Sequence, residues 1–130
     1  MEGAINQEII YKDLSYKLIG LGYQIFNELG FGLEEKIYAK AYEQLLIENK
    51  IPYIREAYCP IKINNQTIAR NYFDFLIMDK IVLELKVGDY KYKDACSQLQ
   101  KYLKTSNLKL GIIVRFMRDG AKIKRIVNLY

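Results

Sequence analysis

The chain has 130 residues, 51% of them hydrophobic and 27% charged, with a formal net charge of +5 and no histidine. That length and balance predict one globular domain over residues 1–130, and no apolar run nears the roughly 18–20 residues a membrane-spanning helix needs. The lack of histidine excludes His-activated nucleophiles and His-ligated zinc, so acid–base or metal chemistry must rest on carboxylates, lysines, tyrosines or water.

The first dozen residues carry neither a basic n-region nor an apolar h-region, so no secretory signal is expected, and residues 1–12 read as a flexible or loosely packed N-terminus. From Asp13, read as an N-cap, Leu14, Leu18, Leu21, Ile25 and Leu29 recur at helical spacing, and the glycines at 30 and 32 end the helix. A second helix is expected from Leu33 to Asn49, with Ile37, Ala41 and Leu45 on its inner stripe and Pro52 beyond its end. The period then changes to two. Residues 53–63 and 67–78 flank a turn at Asn64–Gln66 and read as a hairpin, and 81–87 reads as a third strand. Residues 93–106 return to helical spacing through Ala95, Leu99 and Leu103, and 110–117 and 121–127 are two final strands. The order is ααβββαββ: a mixed α/β domain with one sheet of about five strands flanked by helices.

Charge is divided along the chain. Residues 1–85 carry 9 Lys and Arg against 12 Asp and Glu, whereas 86–130 carry 11 against 3. A basic half of this kind suits a polyanionic partner, because each lysine at a phosphate releases condensed counterions; plain solubility is the competing explanation. Cys59 and Cys96 are too few for a disulfide framework and too far apart for a metal-ligand motif, which fits a reducing cytoplasm.

Asp74, Glu84 and Lys86 are lone charges within otherwise apolar strand segments. Alternation puts Glu84 and Lys86 on one face. A two-residue turn at Asp79–Lys80 would set Asp74 opposite Leu85; a three-residue turn, Met78 to Lys80, sets it opposite Glu84, and a bulge on a shorter turn would do the same. The register that gathers the charges also gathers Phe73, Phe75, Ile77, Ile81, Leu83, Leu85 and Val87 on the other face. Two facing carboxylates repel unless a positive charge lies between them. Lys86 or a hard divalent cation would supply it, and a solvated Glu–Lys face is the alternative.

Gly32, Glu35 and Tyr38 fit G-x-x-E-x-x-Y, and Gln98 and Tyr102 fit Q-x-x-x-Y, with Asp74 and Glu84-x-Lys86 between them. In this order the chain, from about Leu14 to Val127, resembles the small bacterial GxxExxY proteins, a branch of the PD-(D/E)XK nuclease superfamily. Phe73 stands where the superfamily's name has proline. The resemblance implies a restriction-endonuclease-like core and a metal-dependent nuclease using magnesium or manganese. It implies Asp74, Glu84, the Leu85 backbone carbonyl and Glu35 as metal ligands, with Lys86 beside the attacking water. It implies Gln98 and Tyr102 as substrate contacts, with Tyr38 of the first motif counted beside them. Lys91, Lys93, Lys101 and Lys104 of the basic half are the expected holders of the nucleic-acid backbone. DNA ranks ahead of RNA as partner, and a homodimer would suit a double-stranded substrate. The second reading is a catalytically silent nucleic-acid-binding or protein-interaction module on the same fold.

Overall fold

The computed structural model describes residues 10–129. Most of the segment expected to be loosely packed, residues 1–9, lies outside these. Ile10 and Tyr11 pack against the core, and the first helix, α1, begins at once with Lys12–Leu29. Its cap is not Asp13 but Tyr11, in a left-handed conformation at φ 50°; Asp13 lies in the first turn, where a carboxylate favours the positive end of the helix dipole. Gly30, at φ 71°, closes α1 with its N–H on the Phe26 carbonyl at 2.8 Å.

The second helix, α2, spans Glu35–Glu48, and its buried stripe is Tyr38, Ala39, Tyr42 and Leu46, one position on from the aliphatic stripe expected. Two aromatic rings explain the rotation. Each buries more apolar area than the aliphatic alternatives, and each hydroxyl finds a carbonyl: Tyr42 donates to Leu18 at 2.8 Å and Tyr38 to Gly30 at 2.5 Å. Ile37, Ala41 and Leu45 become half-buried flanks.

Strands β1 (Tyr53–Tyr58), β2 (Ile61–Ile63), β3 (Gln66–Ala69) and β4 (Tyr72–Ile77) are the expected hairpin, divided in two. Pro60 interrupts one arm, and Cys59 N–H bonds Asn71 O at 2.6 Å where the hairpin bends. β2 and β3 therefore form a separate ribbon, while β1 and β4 join β5 (Ile81–Val87), β6 (Leu110–Met117) and β7 (Gly120–Val127) in a five-stranded sheet of order β1-β4-β5-β6-β7. Helix α3 (Tyr92–Ser106) is the crossover that makes β5 and β6 parallel; the other neighbours in the sheet are antiparallel.

Helices α1 and α2 cover one sheet face through Leu18, Ile25, Tyr42 and Leu46 against Phe75, Leu83, Leu85 and Val114. Helix α3 covers the other through Leu99 and Leu103 against Val82, Ile113 and Ile126. At Gly111 this packing is so close that an added Cβ would lie 2.7 Å from a Leu99 methyl. The strand β5 is buried on both faces, as a central strand with a parallel neighbour should be. Phe73 departs from the face assigned to it: it belongs to the α3 layer, its ring 5.0 Å from Tyr102. Opposite Asp74, Glu56 sits in a left-handed conformation at φ 51°, which breaks the alternation and rolls the end of β4 towards α3. Among the described residues no helix is long and apolar enough to cross a membrane.

Candidate active site

The turn between β4 and β5 has three residues. Ile77 pairs with Ile81 and Phe75 with Leu83, and Lys80 N–H bonds Ile77 O at 2.9 Å; Met78 and Asp79 take left-handed conformations. Continued one step, this register brings Asp74 to Glu84. There the backbone ladder stops and side chains take over. Asp74 N–H donates to Glu84 Oε1 at 3.0 Å, and Leu85 N–H donates to Asp74 Oδ2 at 2.7 Å. Each carboxylate thus commits one oxygen to the opposite strand, and the two side chains also bond each other. In an extended strand a residue's N–H and C=O point to the same neighbour, so the Leu85 carbonyl is turned to this gap as well.

The pair is half-buried, and the electrostatics follow from that. Burial, reinforced by the Asp74 carboxyl, pushes Glu84 up to about 9; the Asp74 N–H and Lys86 act in the opposite direction without cancelling the rise. Without a cation, then, Glu84 holds its proton at neutral pH. Glu35, the first residue of α2, is also raised, first by burial and then by Asp74, with Lys86 opposing. Glu35, Asp74, Arg55, Glu56 and Tyr72 line one cleft of about 430 Å³, with Phe73 in its wall. Helix α2 therefore delivers Glu35 to the cleft beside Asp74, between β1 and β4, and Lys86 acts on both Glu35 and Glu84.

These donors are hard oxygens, which suits magnesium or manganese bound with several waters retained. Among the described residues no three acidic or cysteine side chains close into a metal cage. Glu35 stands beside the carboxylate pair as its electrostatic neighbour.

The other expected site residues divide. Gln98 Nε2 donates to Asn71 Oδ1 at 2.7 Å, and Tyr102, on the same flank of α3, packs on Phe73 and is pushed up to about 12 by burial and the Cys59 thiol. Tyr38 is fully buried, its ring stacked 4.0 Å from that of Phe116 and its hydroxyl holding the Gly30 carbonyl, so it serves the fold. Lys91 caps α3 with its ammonium over the Tyr90 ring, and it lines a shallow surface with Lys93. Lys101 and Lys104 lie elsewhere, in a groove formed with Val127 and Leu129.

Two residues near the site carry no expectation from the motifs. Asn71 orients Gln98 while its own Nδ2 is buried without a partner among the described residues. Arg115 stands beside Lys86 on the adjacent strand β6. It is legible by the same signal as Asp74 and Glu84, being the lone charge in an apolar strand.

Comparison with known proteins matches residues 12–126 to the PD-(D/E)XK nuclease superfamily. Among solved structures the chain is similar to the crystal structure of SSO0001, with a TM-score of 0.57 and 23% identity, over 72% of this chain and 49% of that one. The chain thus spans about half the length of that protein, and at this identity the likeness concerns the fold. No match to a curated protein is found.

Proposed function

The chain belongs to the PD-(D/E)XK nuclease superfamily, and from that premise we propose that it hydrolyses nucleic-acid phosphodiester bonds with a divalent cation held at Asp74 and Glu84. The observation that supports this reading best is the carboxylate pair itself, fixed across the strand gap by bonds of 3.0 and 2.7 Å. Burial makes Glu84 hold its proton when no cation is present, and a cation would displace it. The cation would supply charge neutralisation at the phosphate and lower the pKa of a bound water.

The chain's own groups do the rest. Asp74, Glu84 and the Leu85 carbonyl would hold the cation. Lys86, on the same side of β5 as Glu84, orients the attacking water and steadies negative charge on the phosphate. Glu35, with its raised pKa, is placed to exchange a proton at the mouth of the cleft. Gln98, oriented by Asn71, and Tyr102 contact the substrate backbone. DNA is the substrate we favour over RNA, and a second copy of the chain enters only where both strands of a duplex are cut.

Calorimetric titration with magnesium and manganese tests the reading, with wild type compared against Glu84→Gln and followed by a metal-dependent cleavage screen on DNA and RNA. Metal binding lost in the variant, with product formed only by wild type, is the expected result. Nucleic-acid binding with no metal-dependent product would assign the chain to the catalytically silent class instead.

A further inference from the structure

The register aligns three cations across the sheet: Lys86 on β5, Arg115 on β6 and Lys122 on β7 are successive partners. Neighbouring strands lie about 4.8 Å apart, so these side chains form a row that starts at the acid pair and runs to the far edge. Arg115 is unlike the two lysines. Its guanidinium lies 3.7 Å from the centre of the Tyr92 ring, and Nη1 donates to Asp89 Oδ1 at 2.5 Å. Nε is buried with no partner among the described residues. About a fifth of the Arg115 side chain remains exposed, against 72% for Asp89. Stacking has already fixed this guanidinium, so it has little entropy left to lose when it takes up an oxyanion.

We propose that Arg115 holds the substrate phosphate next to the one cleaved, and that the Asp89 carboxylate occupies that phosphate's place until substrate arrives. Carboxylate and phosphate accept from the same planar fork, which is why one can stand in for the other. Lys122, bridged to Asp119 at 3.2 Å, extends the row, so the bound strand leaves the acid pair towards β7. The inference rests on the hydrolytic reading above, and it moves the backbone track from the Lys101 and Lys104 groove to the sheet.

The test is anisotropy of a short, labelled single-stranded DNA in calcium-containing buffer, measured over a salt series. Arg115→Ala is expected to weaken binding about tenfold and to reduce the slope of log affinity against log salt by roughly 0.7, the value for one phosphate contact on a single strand. Arg115→Lys should not restore it, since the stack and the fork are both lost. Asp89→Asn should tighten binding more than Asp94→Asn, which removes the same charge without releasing Arg115. A folded Arg115→Ala protein with wild-type affinity and slope would overturn the inference. If that variant fails to fold, equal gains from Asp89→Asn and Asp94→Asn overturn it. Normal magnesium-dependent cleavage alongside either result leaves the hydrolytic reading standing; a wild type that neither binds nor cleaves overturns both.

Discussion

Asp74 and Glu84 are joined through the backbone: the N–H of Asp74 rests on a Glu84 oxygen, and the Asp74 carboxylate reaches past Glu84 to the N–H of Leu85. The acids of the site are therefore also the last rungs between β4 and β5. Removing one should touch fold and chemistry differently according to what replaces it.

Asp74→Asn keeps an oxygen for the Leu85 N–H, so the fold should survive while cleavage falls by at least ~10²–10³-fold. Asp74→Ala should lose that activity and, in addition, about 1–3 kcal/mol of stability, because it orphans a half-buried N–H. Turnover assays and denaturant melts of the two variants check this. Full activity in Asp74→Asn would remove Asp74 from the site.

Glu84 gives a pH dependence whose sign is fixed. Its folded pKa, about 9, lies above the ordinary 4.5, so between those values the folded metal-free protein binds more protons than the unfolded chain. Stability from this group is complete below about pH 4.5 and is lost as pH rises through about 9. In chelator, Glu84→Gln should therefore raise the melting temperature by several degrees at pH 8 and hardly at all at pH 4, with magnesium reversing the order at pH 8. Thermal melts across that range decide it.

Tyr38→Phe separates a packing role from a substrate role. Loss of the bond to the Gly30 carbonyl should cost about 1 kcal/mol, while KM and kcat stay within twofold of wild type. A KM increase without loss of stability would return Tyr38 to the substrate.

Gly111→Ala would force a methyl to within 2.7 Å of the buried Leu99 side chain. Overpacking of this kind costs about 1–3 kcal/mol. Because the strain belongs to one contact, Leu99→Ala should cost less in the Gly111→Ala background than alone. Additive effects in that cycle would place the strain elsewhere.

The carboxylate meeting was legible in the sequence because period-two alternation admits few registers. Only a three-residue connection or its bulged equivalent keeps Ile77, Ile81, Leu83 and Leu85 together, and Met78–Lys80 provides it. Phe73 escaped the same logic. Its face depends on a left-handed Glu56 on another strand, and glutamate carries no local mark of that conformation. The α2 stripe was misplaced for a different reason. Hydrophobic spacing favours Ile37 and Leu45, but Tyr38 and Tyr42 can bury more area once carbonyls from α1 and its cap meet their hydroxyls, and those partners lie outside α2, eight and 24 residues away. Spacing on α3 put Gln98 and Tyr102 on one flank, yet it did not show that Lys101 and Lys104 face a different groove. The orienting bond from Asn71 spans 27 residues and is invisible to any local pattern.

The turn at Met78–Lys80 fixes a count more than a composition. Its first two residues hold left-handed angles with exposed side chains, so glycine, asparagine or aspartate suits those places, whereas proline and β-branched residues do not. Losing one residue there is a different event: β5 would pair one step out of phase, and Glu84 would change sides with Leu85. In descendants of this chain, positions 78–80 should change within what left-handed angles allow while their number stays at three. A one-residue deletion far from any reacting atom would then silence the site as completely as the loss of Asp74.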